Sequence, residues 1–270
     1  MPYFDNEGIK IYYEIEGSGP DLFMIHGFAA NIDFNWRVTN WIKVLKNENR
    51  LILIDCRGHG KSDKPTDPAQ YGSKMMEDVI KLMDHLSIRK SNFFGYSMGA
   101  RITLGLLIRE QERMNSAILG GYGLNLPSKA SKQSYFKPGS GAKVIINALK
   151  AESLDQIEDA IAREFRKFAE STGGNLNALA AIMESSFQDL EEEFSTRSKI
   201  RKAFKKVKVP VMTVLGSNDF LIQNKTLISN LIPRSCHFQI QGRDHLTVVP
   251  DRKFHMVVKA FLNLVNSKKI

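Results

Sequence analysis

The first 121 residues alternate short apolar runs with longer segments whose apolar positions recur every three or four residues. Ile9 to Glu16 alternates its side chains with period two, as a half-buried strand does. Asp21 to Ile25 and Arg50 to Ile54 are short apolar runs of the kind that form buried strands. Between them Trp36, Trp41, Ile42 and Leu45 fall at helical spacing, which predicts a helix over Trp36 to Lys46. Tyr71 to Leu86 puts Met75, Val79, Leu82, Met83 and Leu86 on one helical face. Asn92 to Gly95 and Ser116 to Leu119 read as strands that bracket a helix from Met98 to about Glu110. Strands that alternate with helices in this way pair in parallel, with helices on both faces of the sheet.

The rhythm breaks after Gly120-Gly121. From about Tyr122 to Lys206 the pattern is helical and no strand is expected. Ser153-Leu-Asp-Gln156 has the form of a capping box, and Leu154, Ile157, Ile161, Phe165 and Phe168 follow at helical steps. Gly173-Gly174-Asn175 interrupts, and Leu176 to Phe187 starts another helix. The sheet pattern resumes at Val209 to Gly216, followed by a helix near Lys225 to Leu231 and a strand from His237 to Ile240. Asp251 to Asn266 closes the pattern as an amphipathic helix. The expected fold class is α/β, a mostly parallel sheet flanked by helices. Residues 1–121 and 207–270 form the core, and 122–206 form a helical cap inserted into it.

Composition narrows the class. The 270 residues are 43% hydrophobic and 25% charged, which excludes disordered and fibrous chains. No window approaches the roughly 18 apolar residues of a membrane span. The start, Met-Pro-Tyr-Phe-Asp-Asn-Glu-Gly, lacks the basic and apolar regions of a secretory leader, so none is expected. Cys56 and Cys236 make no disulfide framework and match no metal-ligand spacing, so no metal is expected. A cytoplasmic location follows by default.

The net charge of +9 raises the question of nucleic acid. Its densest source, Arg197 to Lys208, adjoins the acidic stretch Asp189 to Glu193 without any nucleic-acid-binding signature. It reads as a solvated helix face, and no nucleic-acid partner is expected.

The chemistry lies at the strand ends. Gly95-Tyr96-Ser97-Met98-Gly99 sits between a predicted strand and a predicted helix. A G-x-S-x-G pattern there needs small flanking residues because the chain turns too sharply for Cβ atoms. The turn presents a serine hydroxyl at the carboxyl edge of the sheet. It also sets the backbone N–H of Met98 at a helix N-terminus, where an oxyanion is stabilised. Alone the pattern arises by chance in about one chain in ten of this size, so partners decide.

A serine hydroxyl needs a base, and the base needs an orienting group. Asp219 lies just past one predicted strand and His245 just past the next, on the same edge as Ser97. Asp244 is too close in sequence to His245 to orient it. His85, His255 and His237 read as surface or packing residues, and His26 as a loop organiser. The backbone N–H of Phe28, in the loop after an early strand, is the natural second oxyanion donor.

Taken together, these segments resemble the α/β-hydrolase superfamily over nearly the whole chain. The resemblance rests on His26-Gly27-Phe28, Asp55-Cys-Arg57-Gly58-His59-Gly60-Lys-Ser62, Gly95-Tyr-Ser97-Met-Gly99, Gly216-Ser-Asn-Asp219 and Gly242-Arg-Asp-His245. It implies an eight-stranded core, a cap after the sixth strand and no cofactor. The Asp55 to Ser62 segment is similar to a structural turn of that family. Its Gly60-Lys61-Ser62 imitates a phosphate-binding loop, but Asp55 stands where such a loop needs glycine.

The expected activity is that of a serine hydrolase acting on a small or medium apolar acyl ester. The alternatives are a lactonase or carbon–carbon bond hydrolase with the same triad, or a ligand receptor on the same fold. Phe136, Phe165, Phe168, Phe187 and Phe194 are candidates to line an acyl pocket.

Overall fold

A computed structural model describes residues 2–124, 140–185, 196–222 and 224–267. Its strands are β1 (Tyr3–Asn6), β2 (Ile9–Glu16), β3 (Asp21–Ile25), β4 (Arg50–Ile54), β5 (Ser91–Tyr96), β6 (Met114–Gly120), β7 (Val211–Gly216) and β8 (Ser235–Ile240). They form one eight-stranded sheet in the order β1-β2-β4-β3-β5-β6-β7-β8. β2 is antiparallel to both of its neighbours, and every other pairing is parallel.

Period-two alternation within the buried strands divides the core into two layers. Phe23 and Ile25 point into one layer with Ile52, Ile54 and Phe93. That layer meets the helices α2 (Lys74–His85) and α3 (Met98–Arg109). Leu22 and Met24 point into the other, with Leu51, Leu53 and Phe94. There they meet α1 (Trp41–Leu45) and the last helix of the chain, Arg252–Asn266. Each strand thus buries both faces, which is why these runs are apolar throughout.

Between β6 and β7 the described elements are all helical: α4 (Ser140–Lys150), α5 (Ala160–Ser171), α6 (Leu176–Glu184) and α7 (Arg197–Phe204). After β7 come α8 (Leu227–Leu231) and α9 (Arg252–Asn266). The basic cluster behaves as a solvated face. Lys199, Arg201, Lys202, Lys205, Lys206 and Lys208 are exposed while Ile200, Phe204 and Val207 are buried. No described helix is long and apolar enough to cross a membrane.

Two local expectations need correction, and one strand was missed. The helix predicted over Trp36 to Lys46 is two pieces, a single π-helical turn (Asp33–Arg37) and α1, separated at Asn40 with φ 66°. The break lets Trp36 and Trp41 turn to the same layer, both fully buried with ring centroids 6.4 Å apart. A continuous helix would have splayed them. The capping box at Ser153 does not cap a helix. Its side chain caps no N–H, the Gln156 amide oxygen accepts from Glu152 N–H, and only a short 3-10 turn follows. α5 starts instead behind Asp159, whose carboxylate accepts from Ala162 N–H at 2.8 Å. β1 gave no sequence signal because four residues alternating exposed and buried are too few for a period.

Candidate active site

Parallel strands carry their carboxyl ends to one rim, and β3, β5, β7 and β8 each deliver one part of the site there. After β5 the chain reverses into α3 through Ser97, which has φ 52° and ψ −110°. That conformation is strained for a residue with a Cβ, at a cost of about 1–3 kcal/mol. The glycines make the turn possible. A Cβ on Gly95 would collide with the Gly99 carbonyl, and one on Gly99 would strike the carbonyls of Ile25 and His26. Ser97 N–H donates to Gly120 O at 2.8 Å, which ties the turn to β6.

Asp219 follows β7, and His245 follows β8. His245 Nδ1 lies 2.8 Å from Asp219 Oδ2, and His245 Nε2 lies 3.0 Å from Ser97 Oγ. With Nδ1–H donating to the carboxylate, Nε2 is left as the acceptor for the serine proton. Asp219 is 2% exposed and His245 6%, so water competes weakly for these bonds. The second carboxylate oxygen accepts from Leu221 N–H at 3.1 Å, which fixes the carboxylate plane. All three residues chosen from the sequence therefore meet. Asp244 turns away and accepts from the N–H groups of Leu246 and Thr247.

The loop after β3 closes the rim. Gly27 N–H donates to Asn35 Oδ1 at 2.8 Å, and Ala30 N–H returns to Gly27 O at 3.2 Å. Two histidines brace the loop. His26 Nδ1 is 2.8 Å from Gly27 O, and its Nε2 accepts from Cys56 N–H at 3.0 Å. His59 Nε2 accepts from Ala29 N–H at 3.1 Å. The rings meet edge to face at 4.9 Å. Burial pushes both histidines below the usual imidazole range, strongly so for His59, which the neighbouring His26 lowers further. Both are neutral scaffold, as expected for His26.

The Asp55 to Ser62 turn is likewise scaffold. Asp55 accepts from Ile32 N–H and Lys61 N–H, and its backbone carbonyl accepts from Ser62 Oγ. A Cβ on Gly60 would collide with that carboxylate, which leaves no open phosphate-binding loop.

A cavity of about 230 Å³ opens over Ser97. Its core side is lined by Phe28, Phe34, Asn35, Tyr96, Leu246 and Val249, and Phe165 and Phe168 of α5 face them. Phe136, Phe187 and Phe194 lie outside the described residues. Among the lining residues that escaped sequence reasoning, two are buried and polar. Tyr96 donates its buried hydroxyl to the His245 carbonyl, and burial raises its pKa well above the usual phenol value. A variable position inside the serine motif carries no signal for that role. Asn35 is 6% exposed, and its Nδ2 has no hydrogen-bond partner among the described residues. Asn35 stands among Asn31, Asp33, Arg37 and Thr39, so no pattern in the sequence sets it apart. Among the described residues no cluster of His, Cys, Asp and Glu is arranged to hold a metal.

A profile of the family described as "alpha/beta hydrolase fold" matches residues 20–250. The 2-hydroxymuconate semialdehyde hydrolase of Pseudomonas sp. (strain CF600) is 34% identical over 124 residues, 44% of this chain and 43% of that protein. The 2-hydroxy-6-oxo-6-(2'-aminophenyl)hexa-2,4-dienoic acid hydrolase of Metapseudomonas resinovorans is 26% identical over 229 residues, 81% of this chain and 74% of that protein. Several of the curated relatives are matched over only about two fifths of their own length. The crystal structure of the enol-lactonase from Burkholderia xenovorans LB400 superposes with a TM-score of 0.74 at 20% identity, covering 97% of this chain and 100% of that one. With the profile spanning the sheet from β3 to the loop after His245, the chain belongs to the α/β-hydrolase fold family.

Proposed function

We propose that the protein is a serine hydrolase that cleaves a small or medium apolar ester through an acyl-enzyme. Ser97 Oγ attacks the acyl carbon while His245 Nε2 takes its proton, and Asp219 holds the imidazole and stabilises its cation. The N–H groups of Phe28 and Met98 receive the oxyanion, each donor lowering the barrier by roughly 3–4 kcal/mol. His245 then hands the proton to the departing alcohol. Water attacks the acyl-enzyme with His245 again as base, which releases the acid and restores Ser97.

The observation that carries this reading is the continuous Asp219–His245–Ser97 relay, at 2.8 and 3.0 Å, on the floor of an apolar cavity. Apart from His245, none of the described lining residues is ionisable in the neutral pH range, which favours an uncharged acyl group. We take residues 122–206 as a cap on a core made by 1–121 and 207–270, with no resident cofactor and a cytoplasmic setting.

The unpartnered Asn35 Nδ2 supports a second reading. Asn35 lines the cavity, and a turn of its side chain would bring this buried N–H to an oxygen beyond the reacting carbonyl, such as the carboxylate of a keto acid cleaved at a carbon–carbon bond. The relatives named above include an enol-lactonase and a hydrolase of a dienoic acid.

A panel of chromogenic acyl esters from two to eight carbons, together with simple lactones, separates the readings. Ester turnover that Ser97→Ala reduces by at least ~10⁴-fold is expected. Turnover of lactones alone, or of a 6-oxo-dienoic acid tested beside them, selects the second reading, and no turnover on any of these substrates selects a ligand receptor.

A further inference from the structure

The loop that carries the proposed oxyanion donor is clamped from both sides of the cavity. One residue past Phe28, Ala29 sits at φ 58°, in the left-handed region that a residue with a Cβ rarely adopts. Its N–H is held by His59, from the core. Its carbonyl accepts from the hydroxyl of Thr172, 143 residues further on, at 2.6 Å. Thr172 ends α5, where its own N–H closes the last turn on Phe168 O.

That helix also carries Phe165 and Phe168, the two described aromatic rings that face the nucleophile across the cavity. The Phe165 ring lies 6.4 Å from the ring of Phe28, edge to face. One helix therefore touches the space for an acyl chain with its side chains and the donor loop with its end.

The hydroxyl has a ready local alternative, since Ala169 O lies 3.0 Å away within the same helix turn. A threonine near a helix end ordinarily satisfies itself in this way. A hydroxyl has one proton to give, and the shorter contact is the one to Ala29.

We propose that Thr172 is a positioning residue: its hydroxyl ties the helix that faces the acyl group to the loop that carries the Phe28 N–H. The inference rests on the reading of that N–H as an oxyanion donor. An acyl chain that packs against Phe165 and Phe168 seats α5, and α5 through Thr172 holds Ala29 and so aims the donor. Contacts made far from the reacting carbon then appear in kcat rather than in KM. In the wild type kcat rises with acyl length over short chains, and without the hydroxyl that rise flattens.

The test compares Thr172→Val, which keeps the shape and removes the donor, with Thr172→Ser, which keeps the donor. Amide hydrogen exchange of the peptide spanning residues 26–31 reads the tie directly, and kcat and KM on acetyl, butyryl and hexanoyl esters read its consequence. Thr172→Val is expected to speed exchange in that peptide about tenfold. It also lowers kcat on the butyryl ester about tenfold with KM within twofold, and it removes the dependence of kcat on acyl length. Thr172→Ser stays within about twofold of wild type in every reading. If the valine variant does not fold, Thr172→Ala supplies the same comparison.

Unchanged exchange in Thr172→Val overturns the proposal, as does equal damage by serine and valine or a loss confined to KM. Absence of Ser97-dependent ester turnover in the wild type would instead defeat the functional reading. The exchange comparison would still decide the tie.

Discussion

The sheet rim and the helices that face it share one cavity but are held in different ways. On the rim, polar groups are fixed by bonds that are almost wholly buried. His245 is gripped by Asp219 and poised on Ser97, and the loop of Gly27 to Ala30 is braced by His26, His59 and Asn35. On the helical side the cavity surface is the two rings of α5, and that helix is anchored mainly to its own neighbours. The buried Arg166 donates to the carbonyls of Ala148, Leu149 and Ala151 around the end of α4, where a cation also meets the negative end of the helix dipole. In the proposed mechanism, reactivity depends on directional bonds that tolerate little displacement and selectivity on packing, which tolerates more.

If that division holds, damage to the rim is far larger than damage to the opposite wall. The largest effect in the partner set falls on Asp219→Asn, which keeps the shape but offers His245 Nδ1 an amide in place of a carboxylate. A drop in kcat of about 10⁴-fold with little change in KM is expected in ester assays. A loss under tenfold would mean that Asp219 only packs.

Phe168→Ala sharpens the comparison from the other wall. Removing one ring should lower kcat/KM on a hexanoyl ester by about 10–100-fold while leaving the acetyl ester within about threefold. Equal losses on both esters would show that the ring supports the rim rather than the acyl chain.

The smallest effect concerns stability. His26 and His59 are depressed by burial, so in the folded state they bind protons less readily than in the unfolded chain. Their contribution is complete above the unfolded value of about 6.5 and is lost as pH falls from there towards the folded value, at no more than about 1.4 kcal/mol per pH unit for each histidine. Thermal unfolding followed from pH 8 to pH 5 should show a falling Tm below about 6.5, with a shallower fall in His59→Gln. A flat profile would mean that neither ring is held below the usual imidazole range in the fold.

The rim was legible in the sequence and the opposite wall only in outline, for one physical reason. The turn brings backbone carbonyls too close to positions 95 and 99 for a Cβ at either, so Gly95 and Gly99 announce Ser97. The buried parallel strand β7 is apolar almost throughout, so its end locates Asp219, while the half-exposed edge strand β8 places His245 by a weaker pattern. Packing leaves no such mark. Phe165 and Phe168 stood only among five aromatic candidates for the pocket, with nothing in their helical spacing to choose between them, and the Thr172 tie spans 143 residues with no sequence signal.

The failures follow the same line. Ser153 had the form of a cap, but Asp159 made the bond, because several nearby residues can satisfy a helix start and tertiary context chooses among them. The helix predicted over Trp36 to Lys46 split because burying two indoles on one layer outweighed the continuity of the helix.

The account turns on one activated hydroxyl. Treatment with a fluorophosphonate probe followed by peptide mapping tests it most directly. A single adduct on Ser97 is predicted, forming at a rate that Asp219→Asn slows in parallel with kcat. An adduct on any other residue, or labelling of Ser97 that Asp219→Asn leaves unchanged, would contradict it.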